Sequence, residues 1–394
     1  MSGPLIGIRI LDLTGALSGP VATQLLGDMG ADVIKIESPE GDSIRAMGPA
    51  RHAGMGAMFL HANRSKRSLV LDLKQGSARD ALLKLVAKAE VLVTNTRPKA
   101  LARLGLSYED LKAINPSLIY VNIVGYGSSG PDADKPAYDD LIQAAAGIPS
   151  LHGPSDAPRY APIAIADRVT GICAANAVLG ALFHRLRSGQ GQFVEVPMLE
   201  TVASLVLADH MAGLTFEPAQ GPAVFQRYAA IRRPFTTRDG SICLMVLTDR
   251  QWNALFKVLG HEGAMDDPRF RTMSQRTQHL EALYELVAYP LKERTTEDWI
   301  ARLGAADIPV ARLETMDSLL SDGHLVKSGF FGISQHPTEG DIRVMKSPST
   351  WSATQPGPSR PTPNLGEHSR EILREAGLSS QEIQSMFETG ATKE

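Results

Sequence analysis

Asp167 is the residue whose surroundings first promise chemistry. It closes a short apolar run, Ile163 to Ala166, that reads as a buried segment. A long apolar pattern follows from Val169 to Leu186, with Arg185 and Arg187 in its last turn and Gly189 just past it. That combination predicts a helix with cations at its C-terminus and a glycine cap. Asp167 is therefore expected at or beside a helix N-terminus, where free N–H groups and partial positive charge favour an ionised carboxylate. Aspartate is a preferred N-cap, and spacing alone favours that role. A carboxylate so placed is also a candidate nucleophile.

The other side chains with chemical promise are cations. Residues 38–68 are loop-rich and basic, with Arg45, Arg51, Arg64, Lys66 and Arg67; Arg97, Lys99 and Arg103 follow after the next strand. Taken in isolation, a run such as Asn63–Ser68 is more often a solvated basic loop than an anion site. The opening βαβ pattern lacks G-x-G-x-x-G, so no dinucleotide fingerprint is present, and Glu37 at the end of the second strand is only an echo of one. The two cysteines, Cys173 and Cys243, lie in apolar runs. They suit a reducing cytosol and rule out a disulfide framework. No metal site is expected.

These residues must be positioned by a chain of 394 residues, 43% hydrophobic and 21% charged, with ample material for more than one domain. A net charge of −3 gives no global basic field for nucleic acid or an anionic membrane, so anion binding must come from local clusters. The apolar stretch around Ala174–Phe183 reads as too short and interrupted to span a membrane, and Met1 to Gly7 lacks a signal pattern. A cytoplasmic protein is expected.

Strands are predicted at 7–13, 32–37, 68–73, 91–95, 119–124 and 192–196. Helices lie between them, including one from about Gly19 to Met29 and one opened by the capping box Ser107-Tyr-Glu-Asp110. This alternation argues for a parallel sheet with helices on both faces. Gly125-Tyr-Gly-Ser-Ser-Gly-Pro131 reads as a flexible loop. Beyond Phe216–Pro222 the pattern changes. A hairpin turns at Asp239-Gly240, a capping box opens at Thr248-Asp-Arg-Gln251, and helices are expected at 273–291 and 296–303 before a short strand at 308–312. Gln355–Asn364, with four prolines, reads as an extended arm.

Several distinct short motifs are spread in order along nearly the whole chain. They are Gly7-Ile-Arg-Ile-Leu-Asp-Leu13 with Gly19-Pro20, Ala31-Asp-Val-Ile-Lys-Ile-Glu37, Asn63-Arg-Ser-Lys-Arg-Ser68 with Leu71-Asp-Leu-Lys74, and Asn95 with Arg97-Pro98. Arg103-Leu-Gly105, Gly125-Tyr-Gly127, Ala137-Tyr-Asp139, Asp167, Gly189-Gln-Gly-Gln192 and Leu365-Gly-Glu-His368 complete the set. In this order the chain resembles the family III CoA-transferases, the group containing formyl-CoA transferase and carnitine CoA-transferase.

The resemblance implies an α/β fold: a large Rossmann-like parallel-sheet domain built from both chain ends (1–200 and 325–394) and a smaller inserted α+β domain at 225–315. The linkers would be 201–224 and 316–324, and two chains would interlock as a homodimer. It implies transfer of CoA from an acyl-CoA donor to a carboxylic acid acceptor, with coenzyme A as substrate and no tightly bound cofactor. It implies Asp167 as nucleophile, Arg103, Leu71 and Asn95 as CoA contacts, and Tyr138 and Asp139 lining the site. Arg64, Lys66, Arg67 and Arg97 would supply charge for the CoA phosphates.

Two departures point away from formate and oxalate. Leu17 stands where formyl-CoA transferase has an active-site glutamine, and 221–232 lacks that enzyme's run of glycines. Arg232 and Arg233 either grip a second carboxylate or form a solvated turn. The rival within the superfamily is an α-methylacyl-CoA racemase, which needs a histidine base near Tyr138. The stretch 135–142 has none, and His152, the nearest, falls in a Gly/Pro loop.

Overall fold

The strands that carry the site are apolar on both sides because helices cover both faces of their sheet. In the computed structural model, which describes residues 3–151, 157–223 and 233–394, six strands form one sheet: β1 (Arg9–Leu13), β2 (Asp32–Glu37), β3 (Lys66–Val70), β4 (Val91–Thr94), β5 (Ile119–Val124) and β6 (Gln192–Pro197). All five pairings are parallel, in the order β3-β2-β1-β4-β5-β6. That is the order of doubly wound nucleotide-binding folds. The chain carries α1 (Ser18–Asp28), α2 (Ala57–Ala62), α3 (Gly76–Val86), α4 (Pro98–Arg103), α5 (Tyr108–Ile114), α6 (Asp139–Ala145), α7 (Ile148–Leu151), α8 (Ile165–Ser188) and α9 (Met198–His210).

Alternate residues of each strand go to opposite cores. Leu11, Ile34, Leu92 and Tyr120 join the side chains of α3, α5 and the C-terminal helices Ser369–Glu375 and Ser380–Glu388. Ile10, Val33, Val91, Val93 and Val121 join α1 and α8. The tail returns as a hairpin of β10 (Phe331–His336) and β11 (Gly340–Met345) before those helices.

The chain divides into two compact units. The larger is Met1–Pro149, Arg159–Ala208 and Lys327–Glu394; the smaller is Ser150–Pro158 and Asp209–Val326. The smaller has an antiparallel sheet of β7 (Phe235–Thr236), β8 (Ser241–Leu244) and β9 (Val310–Arg312), packed by Leu255, Val287, Leu291, Trp299 and Leu303. The hairpin closes with Thr237 N–H donating to the Gly240 carbonyl at 3.0 Å. Both capping boxes, at Ser107 and Thr248, are formed.

Four expectations are corrected. The strand read at 68–73 occupies 66–70, because Lys66 and Arg67 are buried in ion pairs and so enter the sheet despite their charge. The helix read over 273–291 is two helices, Met273–Gln278 and Leu280–Leu291, interrupted where His279 leaves helical angles (φ −117, ψ 33). Ile163 is exposed and Ala164 and Ile165 are partly so, leaving Ala166 as the buried residue of the segment before Asp167. Finally, α8 reaches 24 residues and is long and apolar enough to cross a membrane by length and composition; a third of its most apolar stretch is buried in this chain.

Candidate active site

Asp167 is the third residue of α8 and not its N-cap, which is Ala164. Its N–H donates to Asp139 Oδ1 at 3.0 Å. Asp139 opens α6 and accepts from the buried Gln143 amide at 2.6 Å, while Gln143 Oε1 accepts the Ala161 N–H at 2.9 Å. This chain of bonds fixes the approach to α8. Ser18, the first residue of α1, lines the same cavity as Asp167, and its hydroxyl and N–H favour the ionised carboxylate.

The two helix starts meet because Gly171 has no side chain. A Cβ there would stand 2.7 Å from the Ser18 carbonyl and 3.0 Å from Val21 Cγ1. Gly189 ends α8 in the left-handed conformation at φ 73, with its N–H donating to the Arg185 carbonyl.

Burial raises Asp167 to about 6, and the Asp139 carboxylate pushes the same way; Ser18 and Arg168 only partly offset them. The helix terminus was expected to favour the ionised form. Removal from water and a like charge win instead. A carboxylate with this value is mostly ionised at neutral pH yet poorly solvated, which suits a nucleophile.

Asp167 and Ser18 border a cavity of about 330 Å³. Its walls include Gly15, Ala16, Asn95, Arg97, Gly125, Lys135, Tyr138 and Met198. Tyr138 is 71% exposed. Arg97 stands exposed at the start of α4 and Arg103 exposed at its end, but only Arg97 lines the cavity. The loop Gly125–Pro131 is not free: Glu200 accepts the Gly127 N–H and Glu195 the Ser128 N–H, both at 2.9 Å.

The remaining expected CoA contacts belong to the scaffold. Lys66 is fully buried and donates to Asp12, the Pro20 carbonyl and Asn63. Arg67 is buried and bonded to Asp32, Glu371 and Glu375. Arg64 pairs with Asp28 at 2.7 Å, and Leu71 is plain core. A solvated basic loop was the simpler alternative for these cations, and it fails too: each is folded inward. Burial alone would raise Asp12, but the ammonium groups of Lys66 and Lys35 and the hydroxyls of Thr14 and Thr23 hold it at about 2. Burial lowers Lys66 to about 8, still protonated at neutral pH.

Sequence reasoning gave Ser18, Gln143, Glu195 and Glu200 no part in the site. His152 and Arg232 lie outside the described residues; Arg233 is exposed. Among the described residues, no histidine lines the cavity and no group of His, Cys, Asp or Glu is placed to hold a metal ion.

The site is a desolvated aspartate at the meeting of two helix starts on a doubly wound sheet, and comparison with known proteins gives the family. The chain belongs to CoA-transferase family III, whose model matches residues 5–369. It is 33% identical to a succinyl-CoA:glutarate CoA-transferase of Mus musculus over 94% of this chain and 86% of that one. It is 34% identical to a succinate–glutarate CoA-transferase of Agrobacterium fabrum, covering 94% and 95%. Among solved structures, a CaiB/BaiF family protein of Brucella suis superposes with a TM-score of 0.82 at 31% identity, covering 95% of this chain and 100% of that one. The protein is a CoA-transferase that uses CoA thioesters, and the racemase alternative is not favoured.

Proposed function

We propose that Asp167 is the nucleophile of a CoA transfer between dicarboxylic acids. The observation that carries this is the half-buried Asp167 carboxylate, beside Ser18 at a cavity of about 330 Å³. One of its oxygens attacks the thioester carbonyl carbon; the C–S bond breaks and CoA leaves as thiolate, giving a mixed anhydride. The thiolate then attacks Cγ of Asp167, expelling the donor acid as carboxylate and leaving an aspartyl-CoA thioester. An acceptor carboxylate attacks the same Cγ and frees the thiolate, which takes the acceptor acyl group and restores Asp167. No proton is consumed. Splitting the transfer in this way is covalent catalysis, and N–H donors at the two helix starts favour the oxyanions formed on the way.

Support for dicarboxylates comes from the relatives, named for succinate, glutarate and mesaconate. Arg97 and Lys135 at the cavity supply cations, and Arg103 at the end of α4 is the exposed cation for a CoA phosphate. Exposed apolar side chains on α8 (Ile172, Phe183, Leu186), β6 (Phe193) and α9 (Leu205, Leu207) support a homodimer. We place it in the cytoplasm with no tightly bound cofactor; its two cysteines are unpaired.

The test is a panel of acyl-CoAs against mono- and dicarboxylates, read by mass spectrometry, with hydroxylamine trapping of Asp167. Wild type should move CoA between four- and five-carbon dicarboxylates and yield a hydroxamate at Asp167. An Asp167→Asn variant with near-normal turnover and no adduct would refute the mechanism.

A further inference from the structure

The turn that leads into α1 is held from three sides. Thr14 N–H donates to Asp12 Oδ1 at 3.0 Å, and its carbonyl accepts Lys35 Nζ at 2.9 Å. Gly15 is gripped at both ends by one side chain: its N–H donates to Asn95 Oδ1 at 3.0 Å and its carbonyl accepts Asn95 Nδ2 at 2.8 Å. Ala16 N–H donates to Asp42 Oδ1 at 3.1 Å, while Asp42 Oδ2 accepts Lys35 Nζ at 2.8 Å. Ala16 itself sits at φ 59, a conformation that L side chains avoid. A strained residue persists only when its surroundings over-determine it, and such residues cluster at working sites.

The Lys35–Asp42 pair is fully buried, its side chains 0% and 1% exposed. The desolvation of two charges largely cancels their attraction, so net stability is a poor reason to keep such a pair. What the pair does visibly is hold Thr14 and Ala16. Two residues further on, Ser18 stands with Asp167 on the wall of one cavity, its carbonyl against Gly171 of α8, and favours the ionised carboxylate.

We propose that Asn95 and the Lys35–Asp42 pair are positioning residues: they set the Thr14–Leu17 turn so that Ser18 orients Asp167 for attack. The inference rests on the reading of Asp167 as nucleophile. It also gives Asn95 a task other than touching CoA, since its amide is turned onto Gly15 at both atoms. The remaining charges acting on Asp167 are Asp139 from α6 and Arg168 from its own helix. From the sheet beneath α8, β5 carries no charged side chain and the Glu195 carboxylate of β6 is turned to Ser128.

The experiment compares wild type with Asn95→Ala, Asp42→Asn and Ser18→Ala, each checked for fold by circular dichroism. Asp42→Asn strands a buried lysine; if it fails to fold, Asn95→Ala, which leaves the ion pair intact, carries the test. Asn95→Ala should lower kcat by about tenfold or more, because small displacements of reacting groups are that costly. KM for acyl-CoA should stay within about twofold, a change too small to report a lost CoA contact. Moving Ser18 away from the carboxylate should lift the acid limb of kcat/KM by about one pH unit. The Asn95→Ala/Ser18→Ala double variant should be hardly worse than either single one, because Asn95 acts through Ser18. A raised KM with kcat and acid limb intact would make Asn95 a CoA contact and overturn the proposal, as would full additivity. If Asp167→Asn keeps turnover, the nucleophile itself falls. If an adduct forms at Asp167 but Asn95→Ala leaves kcat and the acid limb unchanged, only the positioning role falls.

Discussion

At the residue scale, Asp167 trades stability for reactivity. Its folded-state value of about 6 lies above the ordinary 3.8, so folding favours the protonated form. The native state is therefore not penalised below about pH 4, and it loses stability as the pH rises through 6. Asp167→Asn should be inactive yet more stable than wild type at pH 8, by about 1–2 kcal/mol after allowance for partial solvent exposure. Thermal unfolding of the two proteins should converge below pH 4; equal Tm at pH 8 would show that the carboxylate is not strained. The acid limb of kcat/KM should fall near pH 6, and Asp139→Asn should move it lower, because a like charge has been removed.

The same scale separates binding cations from scaffold cations. Arg103→Ala should leave Tm unchanged but weaken CoA by about one to two decades, with a smaller loss for 3′-dephospho-CoA. Lys66→Ala should instead cost about 3 kcal/mol or more, because it strips the buried Asp12 of an ammonium. Denaturant titration beside calorimetric CoA binding distinguishes the two; loss of CoA affinity without loss of stability in Lys66→Ala would contradict its assignment to the scaffold.

At the scale of elements, the proposed mechanism makes catalysis depend on how closely α1 and α8 approach. Gly171→Ala places a methyl 2.7 Å from the Ser18 carbonyl, a backbone atom that cannot swing aside. The helices must separate, and overpacking of this kind costs about 1–3 kcal/mol. Because Ser18 and Asp167 sit on the two helices, activity should fall by more than the stability loss predicts, by about tenfold or more. Steady-state kinetics well below Tm is the measurement. Normal kcat with lowered Tm would mean that the contact serves packing alone.

At the scale of the molecule, the single chain leaves apolar surface uncovered. Ile172 is 57% exposed, Phe183 62% and Leu186 84%, on a helix otherwise packed against α1 and the sheet. β6 is an edge strand with Phe193 outward. Surface of this kind is covered by a partner or aggregates. A homodimer of interlocked chains should sediment as a dimer at all workable dilutions, with an unfolding midpoint that rises with concentration. A folded, soluble monomer at nanomolar concentration would exclude it.

The sequence by itself determined what repeats or is punctuated. Alternating apolar strands and helices dictated the parallel sheet, because both its faces had to be buried; Gly189, Ser107 and Thr248 marked helix ends through bonds made within a few residues. Asp167 was visible as a polar residue opening an apolar helix. What the chain could not show is where side chains distant in sequence converge. Lys66 and Arg67 look like a phosphate-binding loop until the fold buries them against Asp12, Asp32 and Glu375. Asn95 looks like a CoA contact until Gly15, 80 positions away, occupies its amide. Gln143, Glu195 and Glu200 carried no local signal, since each meets its backbone partner only after the sheet has formed. Above all, the value of about 6 at Asp167 is tertiary. Local sequence offers a helix N-terminus that lowers it, and only packing supplies the burial and the neighbouring Asp139 that raise it.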